Sequence, residues 1–369
     1  MLAVDAFVPA VAASGLAGSR IAVPTRPLES SEWTPLLAAV RAQRLTGMLA
    51  RTLANGAFPV TPAQRDDVRR AEMEAARVAL FLDRVLIDVS DRLRAAEIEH
   101  RVLKGAALAH TMYPDPAMRH YGDVDVLVRG SRLDDAVSVL LGAGGIRRYQ
   151  EPRPGFLARF GKGVAIVRPD GFEVDIHRTF VSGPLGLTIQ LDDLFATETR
   201  FSLAGRTVLG LGREEAFIQT CYHAALGSTP PRMVPLRDVV QLALFSDLDT
   251  DRVQRLCVRW RAHAVVAKAL RLAWKEFDLA DSTGLSAWAK AYRPTRRERH
   301  MLRAYESNTD RYARQAAAAL MTVPGVRARA AYGLAMLLPS RPYLDERDGR
   351  YLKRLRRGVR TARHTEIGR

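Results

Sequence analysis

A chain of 369 residues, 47% hydrophobic and 26% charged, can bury two sizeable cores and has the balance of a soluble globular protein. Its two cysteines, Cys221 and Cys257, exclude a disulfide framework or a cysteine metal cluster and point to a reducing, cytoplasmic setting, and no apolar run approaches the ~20 residues of a membrane helix. The net charge of +16 fits a polyanionic substrate such as a nucleoside triphosphate, or RNA, about equally well; residues 341–369, with ten Lys/Arg and four Asp/Glu, carry less than half of that excess.

Residues 1–18 are rich in Ala, Val and Gly but lack a basic start, carry Asp5 and are interrupted by Pro9, so a flexible tail is expected there rather than a signal sequence. Trp33, Leu36, Leu37, Val40, Leu45, Met48, Leu49 and Leu53 recur at helical spacing and predict one helix, ended by Asn55-Gly56. A longer helix follows Pro62 and runs through Leu82, Val85, Leu86, Val89, Leu93 and Ala96. Together the two predict an N-terminal helical cap packed on the sheet that follows. Residues 98–103 predict the first strand, leading into Gly105 and a short helix over 106–113 that Pro114-Asp115-Pro116 breaks.

After the strand ending at Val128, Ser131 predicts the start of a helix whose buried stripe is Leu133, Ala136, Val137, Leu140 and Leu141. Two apolar runs, 164–168 and 172–177, flank Pro169-Asp170-Gly171 and predict a hairpin. A second two-strand excursion spans 201–211 around Ala204-Gly205, and from Arg213 onward every periodic segment is helical. The expected organisation is a tail and helical cap over 1–97, an α/β domain over 98–212, a helical domain over 213–340 and a basic tail over 341–369. The class is α+β, a mixed sheet flanked by helices with an all-α C-terminal half.

The chemistry sits in Asp123-Val124-Asp125-Val126-Leu127-Val128. Alternation along a strand places Asp123 and Asp125 on one face and the three valines on the other, buried one. Such pairs at strand ends often do no more than face water. Here a further carboxylate, Asp175, lies on a later strand, with Glu173 and His177 on its side of that strand. Acids grouped in this way can hold one or two divalent cations, and two ions ~3.5–4 Å apart form a clamp for in-line displacement at phosphorus. Gly105 lets backbone approach a phosphate at a helix start, where free N–H groups and the helix dipole favour negative charge.

These residues resemble a known pattern. Leu103-Lys104-Gly105, then Arg119 through Asp123-Val124-Asp125 to Val128, then Asp175-Ile176-His177 are similar to the motifs of the nucleotidyltransferase superfamily with the DNA polymerase β-type fold. The resemblance is to its bacterial nucleotidyltransferase-like proteins of largely unassigned substrate. Phe217 to His223 and Leu236-Arg237-Asp238 resemble the helical half of those proteins, so the likeness runs from about Trp33 to the C-terminus. Ala106 departs from it, standing where a second Gly or Ser is frequent.

The resemblance implies metal-dependent transfer of an NMP from an NTP to a hydroxyl or phosphate acceptor, with release of pyrophosphate. Asp123, Asp125 and Asp175 are expected to hold the metal, Mg²⁺ by the hardness of the ligands and two ions in number, with Glu173 as the substitute third acid. Lys104 and Arg119 are expected to neutralise the β- and γ-phosphates, with Gly105, Ala106 and His177 also at the nucleotide. Asp238 and His223 lie in the half that closes over the sugar or base in the related proteins; hydrogen bonds between buried helices are expected of them, with a nucleotide contact as the alternative. The acceptor is a small molecule, RNA or protein, and no membrane insertion is expected. The alternative reading is a catalytically inactive nucleotide- or nucleic-acid-binding protein that retains the fold.

Overall fold

The computed structural model describes residues 4–280, 283–306 and 311–347, and its centre is a mixed sheet of seven strands among those residues. The strands are β1 (His100–Val102), β2 (Val124–Val128), β3 (Ile146–Arg147), β4 (Gly163–Val167), β5 (Glu173–His177), β6 (Glu198–Leu203) and β7 (Arg206–Leu211). Across the sheet they are ordered β3-β4-β5-β2-β1-β7-β6. Both expected hairpins, β4–β5 and β6–β7, form. Strand β2 runs antiparallel to β1 and parallel to β5, and β7 returns parallel to β1.

Four helices precede the sheet: α1 (Val4–Ala12), α2 (Ser30–Ala42), α3 (Thr46–Ala54) and α4 (Pro62–Ala95). Within it lie α5 (Gly105–Met112), α6 (Leu133–Gly142) and α7 (Phe156–Phe160). After β7 come α8 (Arg213–Leu226), α9 (Met233–Phe245), α10 (Thr250–Trp260), α11 (His263–Glu276), α12 (Gly284–Ala291), α13 (Arg296–Arg303), α14 (Arg311–Leu320), α15 (Val326–Leu337) and α16 (Arg341–Arg347). The α+β class and the helical C-terminal half are as the sequence predicts. Helix α16 takes up the start of the expected basic tail, and residues 348–369 lie outside the described residues. Among the described residues, no helix is long and apolar enough to cross a membrane.

Helix α4 starts where its capping chemistry dictates: the Thr61 hydroxyl accepts from the Gln64 N–H, and Pro62 occupies the first helical position. Its C-terminal half lays Leu82, Val85, Leu86, Val89 and Leu93 on the valine face of the sheet, with Val124, Val126, Val128, Ile166, Val174 and Ile176 below and α6 alongside. Each such side chain contributes about 1.5–3 kcal/mol by leaving water. The opposite face of the sheet is covered too. Leu103 and Leu127 join the larger core of the helical half, with Phe217, Ile218 and Tyr222 of α8, so β2 is buried on both faces.

Three expectations are corrected. Residues 4–12 are a helix, not a flexible tail: Val8, Val11 and Ala12 are buried in the helical core. The single helix expected over 33–53 is two, because Arg44 adopts φ 60° and turns the chain between α2 and α3. Helix α6 starts without a Ser131 cap, through a 3₁₀ turn over Gly130–Arg132.

Two adjacent residues of α9 tie distant segments to the helical half. The Arg237 guanidinium donates to the carbonyls of Ala12 and Ser14. Asp238 accepts two hydrogen bonds from Arg119 Nε and Nη2 at 2.8 Å and one from the Tyr113 hydroxyl at 2.7 Å, all buried. Removing one member of a buried pair leaves a desolvated charge without a partner, which costs about 3–5 kcal/mol. Asp238→Ala is therefore expected to destabilise the fold by that amount in urea denaturation. Arg119→Met combined with Asp238→Leu is expected to cost clearly less, since neither charge is stranded.

Candidate functional site

Strands β2 and β5 run parallel with Val124 opposite Val174, Asp125 opposite Asp175 and Leu127 opposite His177. The pairing sets the two carboxylates side by side, and the strand period brings His177 to the same face. One ligand atom from each of Asp125, Asp175 and His177 lies within 4.8 Å of the other two. Asp125 and His177 are buried, whereas the Asp175 side chain keeps 29% of its surface exposed and supplies the open side.

Asp125 is surrounded by donors. Lys104 Nζ donates to its Oδ1 at 2.9 Å, and the His177 Nε2–H donates to the same oxygen. Burial by itself would raise the Asp125 pKa, but Lys104 and His177 hold the carboxyl well below the usual range. Lys104 shows the reciprocal effect: burial opposes its charge, and Asp125 outweighs it and raises its pKa. The lysine reaches this position from a backbone at φ 46°, ψ −127°, a conformation that costs a non-glycine residue about 1–3 kcal/mol. Sequence reasoning expects Lys104 at a phosphate; here its ammonium stands beside Asp125 at the start of α5.

The other predicted residues sort as follows. Gly105 opens α5, and a Cβ on it would meet the Tyr121 Cβ at 3.0 Å, so a glycine lets the start of α5 close on the loop that carries Asp123. The Ala106 side chain is buried in the sheet core, leaving its backbone N–H at the helix start. Asp123 precedes β2, is half exposed and stands 3.7 Å from Arg44 Nη1. It lies outside the 4.8 Å group of Asp125, Asp175 and His177. Arg119 is corrected: its guanidinium is buried and its donors go to Asp238 and the His120 carbonyl, so it is a structural link and not a phosphate ligand. Glu173 is corrected as well, since it is paired with Arg148 toward the other end of β5.

Two basic residues at the site escape sequence reasoning. Lys162 Nζ lies 3.6 Å from Asp175 Oδ2. Its only signal is a lysine between Gly161 and Gly163, and a Cβ on Gly163 would fall 2.0 Å from the Ile176 carbonyl oxygen. Arg44, delivered by the break between α2 and α3, lies against Gly122 and Asp123. A residue some 80 positions before its partner carries no local pattern that would announce it.

Asp238 fills the expected role of a buried link between elements. His223, on α8, instead feels Lys104, Asp125 and Lys162; burial first, then Lys104, pushes its pKa well below the imidazole value near 6.5. Burial lowers the pKa of His177 in the same direction, with Lys162 adding to it. A histidine whose pKa falls on folding is protonated first in the unfolded chain. The stability it contributes is complete above about pH 6.5 and is lost as the pH falls through that value toward the folded pKa. The melting temperature is accordingly expected to drop between pH 7.5 and pH 5, and His223→Gln is expected to reduce that drop. An unchanged pH dependence in the variant would mean that His223 is not held neutral.

The three-residue group also fits a divalent cation on chemical grounds. Two carboxylates and an imidazole are donors for Mg²⁺ or Mn²⁺. The Thr179 carbonyl lies 3.4 Å from His177 Nδ1, so with an ion bound the ring would carry its one proton on Nδ1 instead of donating it from Nε2 to Asp125, which would free Nε2 as a ligand.

A family model described as an uncharacterised nucleotidyltransferase matches residues 29–278, which include the whole sheet and the site. No curated protein matches the chain in sequence. Among solved structures, the antibiotic-resistance factor ANT(2'')-Ia in solution is similar over 51% of this chain and 92% of its own, with 14% identity and a TM-score of 0.34. The crystal structure of ANT(2'')-Ia in complex with adenylyl-2''-tobramycin gives 49% and 97%, 14% and 0.34. An antigenic nucleotidyltransferase-like protein from Paracoccidioides brasiliensis gives 49% and 92%, 17% and 0.30. At these scores the likenesses carry no residue-by-residue correspondence.

Proposed function

We propose that this chain, which belongs to the uncharacterised nucleotidyltransferase family and is a transferase of that class, moves an NMP from an NTP to a hydroxyl or phosphate acceptor at the Asp125–Asp175–His177 site. One observation carries the reading: Asp125 and Asp175 meet in register across paired parallel strands, with a histidine completing a cation-sized donor set. Asp125, Asp175 and His177 are the residues that would hold a divalent cation. When bound there, such an ion supplies positive charge at the α-phosphate and makes the acceptor hydroxyl more acidic.

The remaining work falls to the chain. The acceptor oxygen forms a bond to the α-phosphorus as the bond from that phosphorus to the bridging oxygen of pyrophosphate breaks. Asp175, the exposed carboxylate of the pair, takes the acceptor proton. Lys104 and Arg44 flank the loop before β2 and neutralise the triphosphate, with Arg44 in the part that Arg119 cannot play. The backbone N–H groups of Gly105 and Ala106 at the start of α5 receive phosphate oxygens. The acceptor is a small molecule or RNA, and the setting is cytoplasmic.

The test is transfer itself. Each NTP, labelled at the α-phosphate, is incubated with the protein, Mg²⁺ or Mn²⁺ and a cell extract, and the labelled species is isolated. Label is expected on one acceptor class, with pyrophosphate released in equal amount. Asp175→Asn is expected to lower the rate by roughly a hundredfold or more, the scale of losing a positioned proton acceptor, with the fold intact by circular dichroism. Undiminished labelling by that variant would overturn the assignment.

A further inference from the structure

We propose that Lys162 takes the place of a second divalent cation, its ammonium group standing beside Asp175 so that the site binds nucleotide with a single metal ion. The inference rests on the transfer reading above and departs from the two-ion arrangement that three acids on two strands predict.

A second ion needs carboxylate oxygens beyond those of the first, and the group of Asp125, Asp175 and His177 does not supply them. Asp123, the third acid of the sequence pattern, is outside that group, and its half-exposed carboxylate stands 3.7 Å from Arg44. Glu173 is paired with Arg148. The Asp175 carboxylate is instead faced by a cation of the chain itself, with Lys162 Nζ 3.6 Å from its Oδ2. Lys104 stands on the other acid, 2.9 Å from Asp125 Oδ1. Two ammonium groups thus face two carboxylates. One divalent ion leaves the cluster with the positive charge that a triphosphate needs, whereas a second would sit against Lys162 with only Asp123, itself beside Arg44, to offset the repulsion.

Lys162 is also held in place rather than free to swing aside with its backbone. Its carbonyl accepts the N–H of Arg178 at 2.7 Å and of Thr179 at 3.2 Å, pinning it to the chain just beyond β5. Gly163 brings its backbone against the Ile176 carbonyl, an approach that a Cβ would block. An ammonium group is a point charge of limited reach, and the anchored backbone roots this one on the Asp175 side of the site. That is the side on which the acceptor oxygen is deprotonated.

The decisive measurement counts ions. Mn²⁺ bound per full-length chain is titrated by electron paramagnetic resonance in the presence of a non-hydrolysable α,β-methylene NTP. One ion per chain is expected for the natural protein, which requires no variant to fold. Lys162→Met is expected to keep one ion and bind the nucleotide at least tenfold more weakly, and Lys162→Arg to restore binding to within about threefold. Lys162→Glu, which supplies the missing acid, is expected to bind two ions. Two ions in the natural protein, or unweakened nucleotide binding by Lys162→Met, would overturn the role of Lys162 and leave the transfer reading standing. Absence of any Mn²⁺-dependent nucleotide binding would overturn both.

Discussion

The parallel pairing of β2 with β5 is the constraint from which the site follows. It puts two carboxylates directly opposite each other on neighbouring strands, an arrangement whose like charges repel unless something intervenes. The interposed groups are an ammonium and an imidazole, both on the same oxygen of Asp125. The acid pair is held together by groups that the proposed chemistry at phosphate would also use. On that proposal structure and reactivity draw on one set of groups, and a substitution at Lys104 or His177 would act on both.

Burial gives these charges their strength. Because β2 is covered by α4 and α6 on one face and by the helical half on the other, Asp125 interacts with Lys104 and His177 in a medium of low effective dielectric, where an ion pair is worth several times its value in water. Asp175 sits at the boundary of that medium and keeps contact with solvent. The two acids are thereby differentiated by environment: one is a permanently charged anchor, the other is accessible to an incoming group. The unusual backbone at Lys104 belongs to the same arrangement, since the strain is offset by a buried hydrogen bond to a carboxylate.

Much of this was legible in the residues. The Val-Asp-Val-Leu-Val alternation, the Pro169-Asp170-Gly171 turn and the position of Gly105 are local signals, and each corresponds to an element of the structure. Strand period was enough to place His177 on the side of the acids. What failed depends on partners distant in sequence. Arg119 reads as a phosphate ligand until Asp238, 119 residues later, is seen to occupy it. Asp123 is a different case: it stands one residue before the regular strand, half exposed beside Arg44. Arg44 and Lys162 carry no motif at all; a left-handed residue and a glycine approach deliver them, and neither leaves a periodic trace.

The neighbouring anchors Arg237 and Asp238 make one turn of α9 a mechanical joint. One residue grips the end of the first helix through the Ala12 and Ser14 carbonyls, and the next grips the lead-in to the acidic strand through Arg119. The amino-terminal segment is thus tied, through a single peptide unit, to a point four residues before Asp123. The first helix and the loop that leads to the acidic strand are thereby fastened to the same turn of one helix.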